Sequence, residues 1–195
     1  MTPAQMLAKL RATTPEKVAA HVKKALIVSA LQMEGQAKRN CRRVLQIRTG
    51  RLINSITAGV TPAAPGQKAA WDVNLRAGGR AKGADVPYAA IHEYGGVIRP
   101  KNGAYLRIPL GAAVTAAGVD RFAAPLRATG AGLFGVVKSK GGSLLLQHRP
   151  SGAPWYLLVP EVRMPSRPFM RPAFNEVVPQ IAGRVETALR QALSL

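Results

Sequence analysis

From Thr14–Pro15–Glu16 to about residue 45 the chain carries no further proline and a single glycine, Gly35. A run of that length without punctuation leaves room for little but one helix, roughly 45 Å long at 1.5 Å per residue. Thr14 suits its N-cap, Pro15 its first turn and Glu16 the positive end of its dipole. Val18, Val22, Ala25, Leu26, Ser29, Met33, Ala37 and Cys41 keep a helical period, with Lys17, Lys23, Lys24, Lys38, Arg39, Arg42 and Arg43 largely on other faces. A second apolar stripe, Phe174, Val177, Val178, Ile181, Val185, Ala188, Leu189 and Ala192, predicts a C-terminal helix in which Pro179 kinks the axis without loss of the face.

Between these helices the period shortens. Thr49–Gly50 predicts a short helix capped by Thr49, which buries Leu52, Ile53 and Ile56. A strand through Val60, the turn-rich 62–66 and a second alternating strand around Trp71, Val73 and Leu75 follow. Residues 78–84 form a basic, glycine-rich connection. Asp85 and Pro87 then predict the start of a small helix that sets Tyr88, Ile91 and His92 on one face and ends at Gly95–Gly96. Residues 104–109 read as a strand, 111–127 as one or two short helices, 133–138 and 143–148 as a hairpin, and 155–159 and 162–164 as strands. The fold class is α+β: a long N-terminal helix and a C-terminal helix packed on an antiparallel or mixed β-sheet. A single domain over 1–195, with a hairpin-rich insertion at about 111–160, accommodates the whole chain.

The chain has 28 Lys+Arg against 9 Asp+Glu, a formal net charge of +19. Such a field draws in polyanions and acidic surfaces without determining a fold. The basic face of the first helix suits solvation and polyanion contact equally, through Arg39, Arg42 and Arg43, and the 78–84 loop adds Arg80 and Lys82. Cys41 is the only cysteine, which fits a reducing compartment. No segment has 18 uncharged apolar residues, so the sequence predicts a soluble protein with no membrane partner. Gly130–Ala–Gly–Leu–Phe–Gly135 has dinucleotide-site spacing but runs into a strand pattern, not a helix, so no cofactor is expected. His92–Glu93 lacks the second histidine of a zinc helix, and the acids and histidines lie too far apart in sequence for acid–base pairs. The reading is of a protein without catalytic, metal or cofactor residues. Glu93 is expected in an ion pair with one of the many arginines.

Three stretches in order, RTGRLINSI (48–56), VPYAAIHEYGG (86–96) and PSRPFMRPAF (165–174), set between the two helices, resemble the tail-completion family of tailed bacteriophages. This is the head–tail joining or tail-terminator group that includes the virion-morphogenesis proteins of Mu-like phages. The resemblance implies a structural virion protein, assembled in the bacterial cytoplasm and located at the neck, where the tail meets the head. It implies a homo-oligomeric ring, commonly a hexamer, that caps the tail tube protein and receives a head-completion or connector protein, with DNA passing through the ring. Carried across, Thr49, Gly50, Leu52 and Ser55 would fix the turn out of the long helix. Tyr88, His92, Glu93, Tyr94 and Gly95 would seat the central helix on the sheet or on the next subunit. Arg167, Pro168 and Phe169 would lock the entry to the last helix. A non-specific nucleic-acid-binding protein, using the basic face of the first helix, is the alternative.

Overall fold

The computed structural model describes residues 14–64, 70–79, 86–116, 118–122 and 132–193. The chain divides into two compact units, Met1–Tyr94 with Arg167–Leu195, and Gly95–Ser166.

In the first unit, α1 spans Pro15–Val44, and the Thr14 hydroxyl accepts from Lys17 N–H at 3.4 Å, as the capping residues require. Arg42 and Arg43 occupy its last turn, at the negative end of the dipole. Its buried stripe is Leu26, Ser29, Ala30, Met33, Ala37, Asn40 and Cys41, close to the face expected from the period. Cys41 is fully buried, and burial pushes its thiol up against a smaller opposing effect of Arg42. It behaves as a small core residue.

The short helix α2, Arg51–Ser55, is not capped by Thr49. Gly50 is the N-cap, in the left-handed region at φ 70, where a threonine would be strained, and no side chain caps the turn. Strands β1 (Thr57–Pro62) and β2 (Trp71–Arg76) pair antiparallel, with Thr57 opposite Arg76 and Pro62 opposite Trp71. Glu34 of α1 accepts from Ala58 N–H at 2.9 Å, which ties this ribbon to the long helix. The helix α3 is Ala89–Tyr94, with Pro87 and Tyr88 in the preceding turn, so Pro87 does not open it. Asp85, its expected cap, lies outside the described residues.

The C-terminal helix α4, Met170–Ala192, continues through Pro179 and runs antiparallel to α1. Asn40 meets Phe169, and Ser29 and Gln32 meet Arg184. The core of the unit gathers Ala37, Cys41, Leu45, Leu52, Ile53, Ile56, Val86, Ala89, Phe169 and Ala173.

The second unit is built from antiparallel strands. The ribbon pairs β3 (Gly96–Ile98) with β8 (Val162–Met164). A four-stranded sheet contains β4 (Leu106–Pro109), β5 (Phe134–Lys138), β6 (Leu144–His148) and β7 (Pro154–Val159) in the order β4-β7-β6-β5. The expected hairpin is present, with Phe134 opposite His148 and Lys138 opposite Leu144. The helices expected over 111–127 are not seen among the described residues. A 3-10 turn at Gly111–Ala113 is followed by a bridge between Val114 and Asp120, and 117 and 123–127 lie outside the description. Asp120 is held toward the sheet by Tyr156 Oη at 2.8 Å and Arg107 at 3.3 Å, which competes with helix formation. Long terminal helices with antiparallel strands make the protein α+β.

Candidate functional site

Two of the three marked stretches meet within the first unit, through one carboxylate. Glu93, in the last turn of α3, is only 6% exposed. Its Oε2 accepts from Phe169 N–H at 2.8 Å and Met170 N–H at 3.0 Å, and its Oε1 accepts from Arg171 N–H at 2.8 Å. A helix leaves its first four N–H groups without intrahelical partners. In α4 three of these go to Glu93, and the fourth position is Pro172, which has no N–H. The negative charge also sits at the positive end of the α4 dipole. The expected ion pair is replaced by this cap: no ion pair among the described residues includes Glu93.

The surroundings hold the junction in register. Phe169 is fully buried, and its carbonyl accepts from Asn40 Nδ2 of α1 at 3.3 Å. Arg167 N–H donates to the His92 carbonyl at 2.7 Å, with half-buried Pro168 between these anchors. The deeply buried side of α3 is therefore Ala89 and Glu93, together with Val86 before it. Tyr88 and His92 do share a face, edge to face at 5.9 Å between ring centroids, but that face is only partly covered. His92 Nδ1 is buried with no hydrogen-bond partner, and burial, then the Arg167 guanidinium, pushes the imidazole below its usual value. Tyr94 stands 69% exposed, with the Arg171 guanidinium 5.9 Å from its ring centre.

The RTGRLINSI stretch contributes differently. Leu52 and Ile53 enter the core, while buried Ser55 donates to Leu52 O at 2.7 Å and accepts from Gly78 N–H at 3.0 Å. Gly78 has φ 83, and a Cβ there would lie 2.6 Å from Val86 O, so only glycine closes this approach. Thr49 is exposed. In the second unit Gly95, φ 73, lies where a Cβ would meet Ser166 N at 2.8 Å and Met164 O at 2.9 Å. Its glycine identity is thus set by backbone packing as well as by the helix end.

Of the basic candidates, Arg39 and Arg43 hydrogen-bond only to neutral Gln36 and Asn40, and Arg42 is exposed. None of the three enters an ion pair among the described residues. Arg80 and Lys82 lie outside the described residues.

Two features were not anticipated from sequence. The α4 stripe is only half covered: Ala173, Val177 and Ala188 are buried, whereas Phe174 and Val178 are 47% and 37% exposed. On α1, Ile27 and Leu31 are 41% and 61% exposed. The helices α1 and α4 also line a groove that contains His21, Lys24 and Arg184. Among the described residues no group of histidine, cysteine and carboxylate side chains could hold a metal ion, and no helix is long and apolar enough to cross a membrane.

The model of a family of unknown function (DUF6441) matches residues 1–151 of the 195. The chain belongs to the DUF6441 family. No curated protein and no solved structure matches it. The part matched to DUF6441 carries α1, α2 and the Glu93 helix, while the α4 entry that Glu93 caps lies beyond it.

Proposed function

We propose that this DUF6441 protein is a structural component of a tailed-bacteriophage virion, a ring of identical subunits that completes the head-proximal end of the tail and joins it to the head or neck. The family resemblance of the three ordered stretches suggests the role. The observation that supports self-association is the exposure of large apolar residues on α1 and α4, Ile27, Leu31, Phe174 and Val178, while alanines fill much of the seam between the helices. Large apolar side chains left in water on neighbouring helices offer a surface that association can cover. From Val177 to Gly183 α4 bears no charged residue, so copies of a chain of net charge +19 meet little local repulsion there.

The test is the mass of nuclease-treated protein in high salt, by light scattering on a sizing column. A discrete oligomer of ring size, reduced to monomer by Leu31→Asp or Phe174→Asp, is the expected result. A monomer at every concentration, with both variants hydrodynamically unchanged, would refute the reading. A second reading, non-specific nucleic-acid binding by α1, draws support from Arg39, Arg42 and Arg43, which have no carboxylate partner among the described residues. It requires DNA affinity that falls steeply with salt and with charge removal at those positions.

A further inference from the structure

The groove between α1 and α4 has a volume of about 560 Å³. Its walls are Ala25, Val28 and Ala188, with glutamine and threonine side chains at the rim, and its charged members are Lys24 and Arg184, with His21 beside them. Among the described residues no aspartate or glutamate lines it. Half-buried Arg184 donates to Ser29 Oγ at 3.2 Å, to Gln180 Oε1 at 2.9 Å and to Gln32 Oε1. All three acceptors are neutral. The guanidinium is thus held in one orientation between two helices, partly out of water, with no ion-pair partner among the described residues. Partly buried cations are ordinarily paired, and a preoriented guanidinium binds carboxylate with little further ordering.

We propose that this groove receives carboxylate side chains of an acidic peptide segment on a different protein. The proposal is independent of the ring reading. A second copy of this chain is a poor occupant. Of nine acids, Glu34, Asp120, Glu161 and Glu186 are in ion pairs and Glu93 is buried in its cap. Glu16, Asp72 and Glu176 remain among the described residues, on different elements and forming no acidic patch. Apolar walls beside a cation fit the methylenes and carboxylate of a glutamate better than a phosphodiester, which is polar on all sides.

The experiment is fluorescence anisotropy on the full chain with three labelled probes: an alternating glutamate–leucine peptide, its glutamine–leucine analogue, and a single-stranded oligodeoxythymidylate. The acidic peptide should bind and its glutamine analogue should not. Lys24→Glu and Arg184→Gln should each weaken the acidic peptide by about tenfold, while Arg42→Glu stays within about twofold. Lys24 is exposed, so its variant keeps the test valid if Arg184→Gln loosens the helix pair. Equal binding of both peptides, or an acidic-peptide affinity indifferent to Lys24→Glu, overturns the proposal. So does oligothymidylate binding that depends on Lys24 and Arg184 when peptide binding does not.

Discussion

Removing the Glu93 carboxylate should unfasten α4 from the rest of the first unit. Its three acceptor contacts, at 2.8, 3.0 and 2.8 Å, serve donors that have no other partner among the described residues, and the Phe169 N–H is among buried neighbours. Hydrogen bonds to a charged group contribute about 1.5–3 kcal/mol each, but three that share one carboxylate do not add fully. An ordinary N-cap loss costs about 1 kcal/mol, and a partly buried charge at a helix end adds up to about 2 kcal/mol. Glu93→Ala should therefore cost about 3–5 kcal/mol, a large share of the 5–15 kcal/mol typical of a domain. Glu93→Gln keeps the shape and one acceptor but turns an amide NH2 toward backbone donors, so about 2–3 kcal/mol is expected. Urea titrations followed by helical circular dichroism give both numbers. Amide exchange at Phe169, Met170 and Arg171 should quicken in step with the loss. A Glu93→Gln chain within about 0.5 kcal/mol of the parent, with those amides still protected, would mean the cap contributes little and the reasoning fails.

Three further outcomes follow from single positions. Gly35→Ala should stabilise α1 by about 0.5–1 kcal/mol in the same titration, because a Cβ there meets only Arg39 Nη1 at an ordinary 3.6 Å. Gly95→Ala should destabilise by about 2 kcal/mol or more, since the left-handed strain is joined by backbone contacts at 2.8 and 2.9 Å that cannot move aside cheaply. His92 should make stability pH-dependent: its folded value lies below the unfolded one, so the unfolded chain binds the extra proton and stability falls as pH drops through about 6.5, levelling below the folded value. Melting temperatures between pH 8 and pH 5 test this, and His92→Asn should remove that part of the slope.

The helices and strands were legible because their determinants are local. Thr14 and Pro15 start α1, the alternation around Val73 makes β2, and Gly141–Gly142 turns the β5–β6 hairpin. Thr49 was misleading, because a threonine before a helix resembles a cap and only the backbone reveals that Gly50 takes the left-handed position. The importance of HEYGG was legible, but Glu93's task was not. Its partners are backbone amides 76 to 78 residues away, and amides leave no mark in a sequence. Periodicity located the α4 stripe yet could not say which half would be covered, since Phe174 and Val177 both fit it. The groove was invisible for a similar reason. Ser29 and Arg184 are 155 residues apart, and only the pairing of two helices brings their side chains together.

The distribution of acids then separates the two kinds of contact this surface can make. A chain with nine acids, most of them engaged internally, has little negative charge to present to its own copies, whereas its arginines and lysines remain outward in number. The proposed association of like chains would therefore rest on exposed apolar residues such as Leu31 and Phe174, against a repulsion that salt screens. The proposed association with an acidic partner rests on Arg184 and Lys24, and salt weakens it. Raising ionic strength should push the two in opposite directions, and no single interface of this chain could produce both responses.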